Sequence, residues 1–100
     1  MSDDHYQLEM SSPDTLAVSG ALNFRTAAQV LAEAGAMLAD GNVRVLDLSG
    51  VRGADSAGLA CVLAMLARAG IHGGARPRVQ GLPGSLKRLA AVSDAEPLLG

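Results

Sequence analysis

Aromatic residues are almost missing from this 100-residue chain: Tyr6 and Phe24 stand alone, and there is no tryptophan. Because 49% of the residues are nonetheless hydrophobic, Ala, Leu and Val must fill the core. That favours helices packed closely on a sheet over an aromatic-lined ligand cavity. Cysteine and histidine are equally scarce. Cys61, His5 and His72 are the whole supply, too few for a disulfide framework or a structural zinc site. No basic run is present, and eight basic against ten acidic residues leave a formal charge of −2, so a nucleic-acid partner is not expected. No apolar stretch approaches the roughly 20 residues that span a bilayer. The start, Met1 to His5, lacks the charged-then-apolar layout of a secretory signal. The expectation is a cytoplasmic protein without direct membrane insertion, and a single domain over 1–100.

What is present alternates between two periods. Residues 1–14 are polar, with a weak edge strand over Tyr6–Met10 and a turn at Ser11-Ser12-Pro13-Asp14. Thr15–Ser19 alternates as a strand, and Gly20–Phe24 reads as a loop. Thr26-Ala27-Ala28-Gln29 fits a capping box. It opens a helix whose apolar face is Ala27, Val30, Leu31, Ala34, Met37 and Leu38, ending at Asp40-Gly41-Asn42 with Gly41 suited to a left-handed cap. Val43–Leu48 is apolar on both sides and reads as a central strand buried on both faces. Ser49–Asp55 reads as a loop. A second helix runs from Ser56 or Ala57 to Ala69 on a stripe of Leu59, Val62, Leu63 and Leu66. Cys61 and Met65 make it apolar nearly all round, so it is either deeply buried or offers an apolar patch. Gly70–Pro77 is a loop, Arg78–Leu82 a short strand, and Ser85–Val92 a third helix. Strands alternating with helices predict an α/β fold: a mixed sheet of four or five strands carrying three to four helices.

The chemistry of an active site is hard to assemble from these residues. Gly53-Ala54-Asp55-Ser56-Ala57-Gly58 lacks the spacing of a nucleophile elbow. A serine nucleophile also needs a positioned base, and the histidines sit in the tail and in a Gly-rich loop. Gly70, Gly73 and Gly74 are not followed by the Lys-Ser/Thr of a phosphate loop. Asp47 and Asp55 suit turn and capping roles better than acid–base work, and Cys61 suits a small core position. No catalytic, metal or cofactor residue is expected. Asp55 and Ser56 would cap the second helix, Ser56 as the N-cap, a role worth about 1 kcal/mol that alone explains their types.

Val45-Leu46-Asp47-Leu48-Ser49-Gly50-Val51, followed by Ala54-Asp55-Ser56-Ala57-Gly58-Leu59-Ala60, resembles the signature of the STAS family. That family comprises anti-sigma-factor antagonists and the soluble domains of sulfate transporters. Leu16–Asn23 and Val79-Gln80-Gly81-Leu82 fall in register with it, so the resemblance covers about residues 15–93. Within the family the chain is most similar to MlaB-type subunits of the phospholipid-trafficking ABC transporter, through its L-A-V-S-G, L-D-L-S, D-S-A-G-L-A and V-Q-G-L runs. It departs at Asn23, where many relatives carry an acidic residue. The resemblance implies a non-enzymatic subunit that docks on the transporter ATPase. The alternative it implies is an anti-sigma-factor antagonist phosphorylated by a partner kinase, with Ser56 at the regulatory position. Either way Ser49, Arg52, Asp55, Ser56, Ala57, Gly58 and Leu59 are the expected partner-binding residues, with Gly58 facing outward to let a partner approach.

Overall fold

A computed structural model describes residues 4–39, 41–71, 76–93 and 96–99. Strands β1 (Tyr6–Ser12), β2 (Thr15–Ala21), β3 (Val45–Arg52) and β4 (Arg78–Gln80) combine with helices α1 (Ala27–Leu38), α2 (Ser56–Ile71) and α3 (Gly84–Val92), and a last turn α4 (Glu96–Leu99) follows. The sheet order is β1-β2-β3-β4, with β1 antiparallel to β2 and the other pairs parallel. The expected mixed sheet therefore has four strands, and β3 lies inside it. The hairpin between β1 and β2 turns at Asp14, whose carboxylate accepts the hydroxyls of Ser12 (2.9 Å) and Thr15 (3.1 Å). Those bonds hold its carboxyl below the usual range. The Asp14 carbonyl accepts the amides of Arg44 (2.7 Å) and Val45 (3.1 Å) and so ties the hairpin to the start of β3.

Two right-handed crossovers that advance in one direction across a sheet leave their helices on the same face. Burial follows that rule. Leu16, Val18, Leu46 and Leu48 are buried beneath the helices, while Thr15, Ala17, Val45 and Asp47, on the other face, are only half-buried. The expectation that Val43–Leu48 is covered on both sides is thus corrected. Val45 lies on an open face among small and polar neighbours, with Thr15 and Arg78 directly beside it.

Helix α2 resolves its all-round apolarity by burial. It lies between α1 and α3, and Leu59, Cys61, Val62, Met65, Leu66 and Ala69 are all buried. From α1 come Val30, Ala34 and Leu38, and from α3 Leu86 and Ala90. Truncating one such leucine to alanine costs about 2–5 kcal/mol.

Other boundaries move. Strand β2 continues through Ala21 and β3 through Arg52, because Ser19 pairs with Gly50 and Ala21 with Arg52 after a bulge in β3. Helix α2 runs to Ile71, and β4 stops at Gln80. The capping box at Thr26–Gln29 does not form. The buried Thr26 hydroxyl instead donates to the Ala21 carbonyl (3.0 Å) and accepts the Asn23 amide (3.0 Å), which closes the β2–α1 loop on itself. Gly41 has the expected positive φ of 75°. His72, Gly73 and Gly74 lie outside the described residues.

Candidate functional site

The carboxyl ends of β2 and β3 release two connections side by side, the β2–α1 loop and the approach to α2. Asp55 joins them. One carboxylate oxygen accepts the Gly58 amide (3.0 Å) and the other the Phe24 amide (3.1 Å). Its carbonyl accepts the Leu59 amide (3.0 Å), the first bond of the helix. Asp55 is therefore the N-cap, with its negative charge at the positive end of the helix dipole. Ser56, expected to cap, is the first helical residue instead. Its side chain is exposed, and its hydroxyl makes no hydrogen bond with the described residues.

The expected partner-binding residues separate into three groups. Asp55, Ser56 and the half-buried Ala57 form the helix start, and the exposed Arg52 lies just before it at the end of β3. Ser49 is exposed but lies on the other side of β3, against Gly81. Gly58 and Leu59 are buried, Leu59 to 5% exposure. The outward orientation expected of Gly58 is corrected: a Cβ there would overlap the Leu22 carbonyl, so this glycine admits the β2–α1 loop rather than a partner.

That loop brings Asn23, Phe24 and Arg25, which are absent from the expected partner-binding residues. Phe24 is 69% exposed, and the Arg25 guanidinium lies over its ring, 5.4 Å from the centroid. Arg25 pairs with Asp4 (3.3 Å), and Asn23 donates its side-chain amide to the other Asp4 oxygen (3.1 Å). The signal in the sequence was one of only two aromatics, set between Asn and Arg. An open groove of about 750 Å³ adjoins the loop on the uncovered sheet face, with Asn23, Arg52 and Gly53 on one wall and Asp4–Gln7 on the other. Carboxyl ends of parallel strands are the usual place for binding in such folds.

Nucleophilic and metal chemistry find little here. Burial pushes the Cys61 thiol up to about 11, and its Sγ donates to the Ala27 carbonyl (3.4 Å) inside the core. The Asp47 carboxylate accepts the Ser49 amide (3.0 Å) at the bulge in β3, a local backbone role instead of the expected turn. Among the described residues no three His, Cys, Asp or Glu groups are placed to hold a metal ion.

The family model described as "Mlab, STAS domain" matches residues 7–100. The chain belongs to the STAS family. Similar solved structures agree with the fold of this STAS domain. The unphosphorylated anti-sigma factor antagonist SpoIIAA is 20% identical, with a TM-score of 0.71, covering 94% of this chain and 84% of that one. The phosphorylated form of the Bacillus cell fate determinant SpoIIAA is also 20% identical, with a TM-score of 0.68 and coverage of 94% and 87%. An anti-sigma factor antagonist from Mycobacterium paratuberculosis is 24% identical, with a TM-score of 0.71 and coverage of 93% and 80%. No curated protein matches the chain. STAS domains are in general regulatory protein-interaction modules. Among the described residues no helix is long and apolar enough to cross a membrane.

Proposed function

We propose that this STAS domain is a non-enzymatic, cytoplasmic subunit of an ABC-type phospholipid transport system that maintains outer-membrane lipid asymmetry. It docks on the ATPase subunit through the start of α2. One observation carries the reading: the exposed Ser56 hydroxyl has no hydrogen-bond partner among the described residues, while Asp55 beneath it holds both the helix start and the Phe24 loop. A polar group without a partner on a fixed frame, beside a large exposed aromatic, has the makeup of a specific interface. The Mlab description of the matching family model supports the transport assignment.

A second reading has its own support. The structural neighbours are named as anti-sigma factor antagonists, one of them in a phosphorylated form. In that reading Ser56 accepts a phosphate, which brings about −1.5 to −2 of charge next to Asp55 and repels an acidic partner surface.

Co-purification with the transporter ATPase subunit tests the first reading. Wild type is expected to bind, and Ser56→Leu and Phe24→Ala to bind weakly while melting at the wild-type temperature. Ser56→Asp keeps the fold, since an acid is favourable in the first turn, but puts a charge to be desolvated against a surface shaped for a hydroxyl. Wild-type binding by all three variants would place the interface elsewhere. Failure of the ATPase to bind, with phosphate added at Ser56 by a partner kinase, would select the second reading.

A further inference from the structure

The two edges of the sheet differ in how they are protected against pairing. Edge strands expose unpaired backbone groups and are usually blunted by shortness, proline or charge. β4 has all three: it is three residues long, follows Pro77 and begins with the exposed Arg78. β1 has seven residues with no proline, its one charge is Glu9 on the open face, and among the described residues no strand pairs with its outer side. The direction of its free groups is fixed by the hairpin. The His5 carbonyl accepts the Ala21 amide (2.7 Å), so His5, Gln7 and Glu9 turn their backbone groups toward β2. Alternation then sends those of Tyr6, Leu8 and Met10 outward. The run is straight from Tyr6 to Met10, and the register slips only beyond Met10.

We propose that β1 pairs with β1 of a second copy of this chain, antiparallel about a twofold axis through Leu8. This register suits the chain's own chemistry. Tyr6 and the partner's Met10, and the two Leu8 residues, exchange both of their outward backbone bonds. Met10, 40% exposed and one of three exposed large hydrophobics with Phe24 and Val92, is covered by the partner's Tyr6, a favourable sulfur–aromatic contact. On the open face Gln7 meets the partner's Glu9, an amide donor against a carboxylate. Centring the axis on Glu9 would set the two Glu9 carboxylates directly opposite, which is unfavourable. Above the strand, Glu33 is held on its own Tyr6 by a 2.6 Å hydrogen bond. The axis leaves the Phe24–Ser56 surface of each copy free, at opposite ends of the paired strands.

Sedimentation equilibrium over a concentration series, from about 5 µM to the millimolar range, tests the pairing on the whole chain. The expected result is reversible growth from the 10.1 kDa monomer to twice that mass. Met10→Lys, a charge on the edge, should weaken association at least tenfold. Gln7→Glu, which puts like charges opposite, should also weaken it, and Gln7→Lys should strengthen it. Gln7 is exposed on the open face, so these changes do not disturb the core. A chain that stays monomeric throughout, or a dimer indifferent to the charge at position 7, overturns the proposal. So does β1 binding an added extended peptide while showing no self-association.

Discussion

Removing the Asp55 carboxylate tests which residue holds the start of α2. Asp55→Ala deletes two hydrogen bonds at once, to the Gly58 and Phe24 amides. The first is an N-cap bond worth about 1 kcal/mol. The second joins two segments 31 residues apart in sequence and adds about 1 kcal/mol. The expected loss is about 2 kcal/mol, which for a domain of this size lowers the melting temperature by about 8–16 °C. Asp55→Asn keeps one acceptor oxygen and should lose about half as much. Ser56→Ala removes a hydroxyl that bonds to nothing in the described protein and should change stability by less than about 0.5 kcal/mol. Thermal and urea unfolding followed by circular dichroism measure all three. Amide exchange at Phe24 and Gly58 should quicken in Asp55→Ala alone. If Ser56→Ala costs as much as Asp55→Ala, the hydroxyl is the cap after all, and the assignment of a spare group at Ser56 fails.

Gly58→Ala should destabilise by about 1–3 kcal/mol, because the added methyl overlaps the Leu22 carbonyl and forces a backbone shift. This outweighs the gain of up to about 1 kcal/mol that alanine brings to a helix interior. An unchanged or raised urea midpoint would mean that α2 has room to move. The Cys61 thiol, raised by burial from 9.0 to about 11, makes stability depend on alkaline pH. Its contribution is complete below pH 9, where both states are protonated, and is lost as pH rises through about 11, since the unfolded chain ionises first. Urea titrations between pH 9 and 11 should show a steeper decline for wild type than for Cys61→Ala, and parallel slopes would contradict the burial of the thiol.

Hydrophobic period made most of the fold legible. The 3.6-residue spacing of Val30, Ala34 and Leu38 and the alternation of Leu16 and Val18 reflect one-sided burial that any local window reveals. Strand ends were less legible. Ser49 and Gly50 look like loop residues, yet Gly50 stays in β3 because its lack of a side chain accommodates Ser19 on the neighbouring strand. The helix begins at Ser56 as read, but its cap was one residue off for a different reason. Aspartate and serine are equally good caps, and what favours Asp55 is a second amide, from Phe24, that arrives from a distant segment. The inward turn of Gly58 depends in the same way on where Leu22 lies. Phe24 was legible as a loop residue, but its place beside the start of α2 depends on the Asp55 bond from a distant segment.

Asp55 grips residue 24 through its main-chain amide and makes no demand on the side chain there. Every amino acid except proline supplies that N–H. Position 24 is therefore free to drift between aromatic, aliphatic and polar identities while the frame beneath it stays unchanged. Descendants of this domain could acquire new binding preferences by single substitutions at one exposed site, without compensating changes in the core.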